Sequence, residues 1–541
     1  MASSEAIGAL EAANLAKILS PEENAYTVSG KRIPMPDGIE LAADFYQPDL
    51  PADGKPHGLV YVLCPYGRKG VMALLNAKCF AARGYMVLLV SCRGTAGSGG
   101  TFVAAMTERE DSQAVVGWMR GQPWYPGRFV TFGSSYMGYV QWALLRDPPE
   151  DLVASVILCS VYDHSLLSWT NGAYRPDRIS WSYIVARQDE ATDGGISSIR
   201  ELRKLGSVVE ATPLFDAAER FLEGRAPYAL EFMNTPDVDD PFWARCKHRA
   251  ALDLVNVPLL LRSGWYDTLT VQTLAAYARA RDRGIKVYLT VGPWTHTEAC
   301  GSNAMPEVFD FLDEHVAGRK QDHRPLSVRV FVTGAEEWRS LPSWPPATEE
   351  RTFYLHGDGT IGAQPPAADS PPASFAYDPQ NPTPTVGGPR MARGGRVDDG
   401  VYAARSDVLV YTGTPLKEDV EVMGKPVVQL AHSTDVPYAD LWIRLSEVDA
   451  DGVSHNLTEN WQALDDVERQ GGLISLALVD RAHVFRKNTC IRVIIAGGSF
   501  PLVARNPGTG VNRTQAKELK VVTHTVQHGN GISKLILPCS P

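Results

Sequence analysis

No stretch of this chain is rich in lysine and arginine, no apolar run reaches the roughly 18 to 20 residues that a membrane helix needs, and no His-Glu-x-x-His occurs. The first absence removes the basic footprint of a nucleic-acid binder, and the net charge of −10 points the same way. The second predicts no membrane span. The third, with eight cysteines of which no pair has zinc-ligand spacing, predicts neither a metal centre nor a metal cofactor. The amino terminus carries Glu5, Glu11 and Glu22 and lacks the basic start and continuous apolar core of a secretory leader. Cys64, Cys92 and Cys159 lie in or beside strand-like runs, so the cysteines read as buried free thiols of a reducing compartment, the cytoplasm.

What is present is a long alternation of strand and helix signals. At 541 residues the chain is long enough for two to four domains. After a helical first twenty residues, KRIPMPDGIELAADFYQP reads as two strands around a turn at Asp37-Gly38. The runs HGLVYVLCPYG and GYMVLLVSCRG flank a helical stretch, VMALLNAKCFAARG, and so form a strand–helix–strand unit of a parallel sheet buried on both faces. TEREDSQAVVGWMRGQPW reads as a helix, RFVTFG as a strand, YVQWALLRD as a helix and DLVASVILCS as a strand. A stretch with helical segments such as ISSIRELRKLG and FDAAERFLEG then interrupts the pattern, which resumes at VPLLLRSGWYD and KVYLTVGPWTH and closes with the helix FDFLDEHVAGR.

From about residue 324 many short strands follow, the mark of a β-sandwich or jelly roll. A Pro-, Gly-, Ala- and Asp-rich segment near 363–400 reads as an irregular surface connection. The expected architecture is α/β: a hydrolase-type core over 1–159 and 249–320, a helical cap over 160–248, and a jelly-roll β-sandwich over 321–541.

Four turns that follow strand-like runs carry the chemistry. Ser135 in TFGSSYMGY, Asp267 in SGWYDTL and His296 in VGPWTHT supply a nucleophile, an acid and a base in the chain order of an α/β-hydrolase. A serine hydroxyl is too weakly acidic to attack a carbonyl unaided; an imidazole must take its proton and a carboxylate must hold the imidazole's tautomer. The elbow around Ser135 departs from G-x-S-x-G, since its second glycine, Gly138, is displaced by one place. Ser134 or Ser135 could equally serve as a helix N-cap, Asp267 as the cap of the helix after it, and His296 as a plain loop residue. The backbone N–H of Tyr136, opening a helix, can face a developing oxyanion. Tyr66 in LCPYGRKG ends an early strand, where such folds place a second oxyanion donor, although an aromatic there is equally a packing residue. Asp163 with His164, and Asp313 with His315, whose i, i+2 spacing on a helix points them to different faces, are rival pairs ranked lower because neither is placed directly after a second strand beyond the nucleophile.

At these residues the chain resembles the cocaine esterase and X-prolyl dipeptidyl aminopeptidase family, through PYG, RGTAGSGG, QPWYPG, GSSYMG, GWYD and GPWTH in the family's order, and through RVFVTGAEEWRSLPSWPP, PVVQLAHSTD, ADLWIRLSEVDADG and RNPGTG beyond them. The resemblance implies a serine hydrolase working through an acyl-serine on a small-molecule ester or amide, with no cofactor. It makes Ser135 the nucleophile, His296 the base, Asp267 the orienting acid, and the Tyr66 hydroxyl and Tyr136 N–H the oxyanion hole. Trp169, and after it Trp181, Tyr183 and Trp265, are the candidate walls of an apolar acyl pocket. Two departures from the family pattern, Ser91 and Gly99, leave Arg93 without its usual acidic partner. No acidic cluster for a free α-ammonium group is evident. Acyl transfer to another acceptor, as in a biosynthetic acyltransferase or cyclase, and a non-catalytic binding protein are the alternatives; self-association into a homo-oligomer is left open.

Overall fold

The computed structural model describes residues 4–22, 24–51, 54–188, 204–319, 324, 326–464 and 472–541. The strand-like runs of the first half assemble into a ten-stranded sheet. In spatial order its strands are Tyr26–Pro34, Glu40–Pro48, Met86–Ser91, Leu59–Cys64, Phe129–Ser134, Leu152–Leu158, Leu259–Tyr266, Val287–Thr295, Val328–Val332 and Glu337–Leu341. From Met86–Ser91 to Val328–Val332 every pairing is parallel, while both edges are antiparallel. Parallel strands are covered by helices on both faces, which is why LVYVLC and MVLLVS are buried at every position.

The two amino-terminal strands do meet around Asp37-Gly38, with Ile33 paired to Leu41. The helical stretch between the first two parallel strands is an α-helix from Gly70 to Ala81 with a π turn at Leu74–Lys78. Helices Glu108–Arg120, Tyr136–Leu144, Thr270–Asp282 and Met305–His315 fall where the sequence predicts them.

Between Leu158 and Leu259 lies the cap, whose helices include Asp177–Arg187, Leu214–Leu222 and Pro227–Asn234. The helix expected at 196–206 lies largely outside the described residues, which resume at 204 and enter a helix at Leu205–Val209.

The second sheet holds thirteen strands around its own apolar core, including Leu355, Leu430, Leu441, Ile443, Val493 and Leu535, and this is the β-sandwich. The hydrolase sheet runs past the expected boundary at 320. Val328–Val332 joins it through Leu289↔Val328 and Val291↔Val330, and Glu337–Leu341 hairpins back onto that strand. The segment 363–400 is not wholly irregular, because Ala373–Tyr377 pairs antiparallel with Val522–Gln527.

Candidate active site

Ser135 sits between the strand Phe129–Ser134 and the helix Tyr136–Leu144, with φ 58° and ψ −123°. A side-chain-bearing residue seldom adopts such a backbone, at a cost of about 1–3 kcal/mol. It is held by the Ser135 N–H donating to the Leu158 carbonyl at 2.9 Å and by the helix that starts at the next residue. Gly138 faces the neighbouring strand end so closely that a β-carbon there would lie 2.5 Å from the Ser160 β-carbon, which accounts for a glycine one place later than the usual elbow. Ser135 occupies the N-cap position, yet its hydroxyl makes no capping bond; it lies 3.0 Å from His296 Nε2.

The base and acid meet through a slip in register. Strands Leu259–Tyr266 and Val287–Thr295 run in step from Leu259↔Val287 to Gly264↔Gly292, and then Tyr266 pairs with Thr295, so the second strand carries one extra residue. The slip sets His296 beside Asp267, with Nδ1 2.8 Å from Asp267 Oδ1. It depends on Gly264, where a β-carbon would lie 2.1 Å from the Trp294 carbonyl oxygen. A capping box between Thr295 and Glu298 then starts a short helix at His296 and fixes the ring's entry angle.

Asp267 also accepts from the Ser263 hydroxyl at 2.6 Å and the Leu269 N–H at 3.0 Å. Burial alone would raise its pKa, but His296 and these donors outweigh it and hold the carboxyl below its ordinary value. For His296, burial opposes the charge, while Cys300 and Asp267 together raise the imidazole well above its ordinary value. With Nδ1–H donated to Asp267, Nε2 presents its lone pair to Ser135.

Tyr66 follows Leu59–Cys64, the parallel neighbour of the nucleophile strand in the register Val60↔Val130, so the two strand ends open on the same edge. The Trp181 indole N–H donates to the Tyr66 hydroxyl at 3.1 Å, and Trp181 and Ser135 together offset part of the rise that burial imposes on the phenol. The phenol oxygen accepts from Trp181 and keeps its own proton to donate. Burial pushes the phenol up to about 12, so it stays a neutral donor. Gln188 also grips this loop by donating to the Pro65 carbonyl.

Tyr136 opens its helix, so its N–H has no acceptor within the helix. Its phenol is fixed below by Glu108, whose carboxyl burial pushes up to about 7, and by the Ala105 N–H at 2.7 Å.

Of the four candidate pocket aromatics, only Trp181 joins this constellation. Its ring stacks on Tyr136 at 5.1 Å and lies near Phe102, which meets Tyr228 edge-on at 5.9 Å. Trp169 is bonded to the Phe232 carbonyl and packs on Tyr174, Tyr183 stacks on Phe221, and Trp265 donates to the Phe331 carbonyl and packs on Trp344. Phe102 and Glu108 escaped the sequence reading, since neither belongs to a motif that marks it.

Each rival pair has other duties. Asp163 caps the helix His164–Ser168, and His164 packs between Tyr136 and Tyr139, with burial driving it down to about 3 and so neutral. Asp313 accepts from Tyr85, and His315 packs on Phe311. Arg93 is not left unpaired: Asp111 takes its Nε and Nη2 at 3.0 and 2.6 Å, and Asp37 takes Nη1. A solvent-open cleft of about 1010 Å³ lies behind Asp267, between Leu166 of the cap and Asn456–Trp461 of the sandwich; Ser135, His296 and Tyr66 do not line it.

The family model described as X-Pro dipeptidyl-peptidase (S15 family) matches residues 37–298, and the model of its C-terminal non-catalytic domain matches residues 323–536. The chain belongs to this family. As a member of the S15 family it is a serine hydrolase with an α/β-hydrolase core and a strand-rich C-terminal domain. Cocaine esterase of Rhodococcus sp. (strain MB1 Bresler) is 27% identical over 572 residues, covering 95% of this chain and 99% of that one. Among solved structures, an aminopeptidase from the marine sediment archaeon Thaumarchaeota archaeon and an α-amino acid ester hydrolase each superpose with a TM-score of 0.79 at 22% identity, over 96% of this chain and 98% of theirs. No described helix is long and apolar enough to cross a membrane.

Proposed function

We propose that this serine hydrolase cleaves small-molecule esters or amides with a hydrophobic acyl part, and that Ser135 carries the acyl group. The observation behind the reading is the unbroken chain from Ser135 Oγ to His296 Nε2 at 3.0 Å and from His296 Nδ1 to Asp267 at 2.8 Å, on a serine held at positive φ. His296 takes the Ser135 proton as Oγ attacks the carbonyl, and Asp267 stabilises the imidazolium that forms. The Tyr66 hydroxyl and the Tyr136 N–H face the carbonyl oxygen as it gains charge. His296 returns the proton to the leaving group, and water then repeats the sequence on the acyl-Ser135 to release the acid. These steps call on no metal or organic cofactor.

The apolar preference rests on Trp181, which packs on Tyr136 and Phe102, and on Tyr228, which meets Phe102 edge-on. An ammonium-bearing acyl group is disfavoured: Asp177 is engaged by Arg175 and Arg178, and Glu108 by Tyr136. We place the protein in the cytoplasm on the strength of eight free cysteines.

A fluorophosphonate is expected to label Ser135 alone, and Ser135→Ala to lower turnover of an aryl ester by about 10⁴-fold or more while leaving the melting temperature within a few degrees of the parent. Labelling of another serine overturns the assignment.

A further inference from the structure

Beside the triad lie two thiols the hydrolytic steps do not use. Cys159 follows the strand Leu152–Leu158 at φ 50°, fully buried, and its N–H donates to the Arg262 carbonyl at 2.7 Å. Cys300 lies four residues beyond His296 at the end of the short helix, its N–H bonded to the His296 carbonyl, so the two side chains share one face. Cys300 Sγ is 3.9 Å from His296 Nε2, and the two sulfurs and a ring nitrogen of His296 all lie within 4.8 Å of one another. Cys300 is partly exposed.

Two sulfurs and an imidazole are a donor set that suits a thiophilic divalent ion and suits magnesium or calcium poorly. Tetrahedral zinc with ordinary bond lengths separates such donors by about 3.5–3.8 Å, so the 3.9 Å pair is already near its bound spacing. Two thiolates would cancel the charge of a divalent cation, which makes the ion tolerable in a buried place. The nearby guanidinium of Arg262 is itself committed to Glu307 at 2.9 Å.

We propose that Cys159, Cys300 and His296 form a binding site for a thiophilic divalent cation of the Zn²⁺ type, and that its occupancy arrests the hydrolase. The arrest follows from a single lone pair. His296 Nε2 must accept the Ser135 proton, and the same electrons would ligate the metal, so a metallated ring is no base. Binding releases both thiol protons, and the ring proton wherever the imidazole is charged.

Metal binding here stands on the thiol and imidazole geometry; only the arrest rests on the triad reading. The test uses the full-length protein after chelator treatment and reduction. A small excess of ZnCl₂ should protect Cys300 from iodoacetamide, as located by peptide mass. CoCl₂ in its place should give a thiolate-to-cobalt absorption band, and aryl-ester turnover should fall at least about ten-fold and recover with EDTA. In Cys159→Ser and in Cys300→Ala, each compared with its own metal-free rate, the band should vanish and the zinc sensitivity should drop by about ten-fold or more.

The proposal is overturned if no cobalt–thiolate band and no protection appear, or if both variants remain as zinc-sensitive as the parent. A band with protection but undiminished turnover overturns the arrest, because His296 is then not a ligand. A band in a protein that fluorophosphonate fails to label at Ser135 upholds the metal site and sinks the hydrolytic reading instead.

Discussion

The two halves of the reacting edge are built by different means. Tyr66 and Ser135 come from adjacent central strands that stay in parallel register, so ordinary sheet pairing suffices to face them towards each other. Asp267 and His296 come from strands that fall out of register by one residue just before their ends, and only the slip puts carboxylate and imidazole in contact. The first half takes its facing from regular pairing and confines its strain to the turn at Ser135; the second takes its contact from a slip in the pairing itself, which a single methyl group can undo.

That contrast can be broken most decisively at Gly264. Gly264→Ala drives a β-carbon onto the Trp294 carbonyl and must reopen the slip. Turnover is expected to approach the about 10⁴-fold loss that follows when a triad acid no longer serves its base. Circular dichroism should report a folded protein; near-normal turnover in that folded variant would refute the register argument. On the regular half, Tyr66→Phe removes a donor and moves no backbone. It should lower kcat by about 10²–10³-fold with KM little changed, measured by steady-state kinetics on an aryl ester.

A smaller effect is expected one step further out. Trp181→Phe keeps the stack on Tyr136 but withdraws the N–H that holds the Tyr66 hydroxyl. If Trp181 acts through Tyr66, the loss in kcat should be about ten-fold or less and should disappear in a Tyr66→Phe background; two independent losses would contradict it.

The smallest change sharpens the irregular half. Cys300 is the leading influence that raises His296, with Asp267 next and burial opposing both. His296 is a base only when neutral, so kcat/KM falls as pH drops through its pKa. Cys300→Ser removes a titrating sulfur and should let that pKa fall, moving the acid limb to lower pH in metal-free buffer. The groups facing the ring, Asp267, Ser135, Cys159 and Cys300, differ between the proteins only at the last. A limb that stays put or moves upward contradicts the assignment.

The alternation of strands and helices in the first half, the chain order of the Ser, Asp and His turns, and the inserted cap could all be read from residue patterns, because apolar runs and turn residues are local signals. The register slip could not, since it concerns which residue lies opposite which. Nor could the Cys159–Cys300 neighbourhood, where two lone cysteines meet only through the fold. Strand Ser454–Leu464 was missed because its sequence is polar: Glu459 is buried there against Arg444, a pairing between strands that no window along the chain displays. The run VRVFV reads as a strand in either domain, and only its partners Leu289–Val291 assign it to the first sheet. Trp181 ranks behind Trp169 in sequence as a pocket wall, and its indole N–H, donated to Tyr66, is a contact that no sequence pattern displays.

That indole belongs to a helix of the inserted segment, and the same helix ends at Gln188, which clasps the Pro65 carbonyl. The phenol that must greet an incoming oxyanion is therefore held by a piece of chain lying outside the sheet that supplies the nucleophile. Hydrolysis is thus conditional on that helix staying seated over the sheet edge.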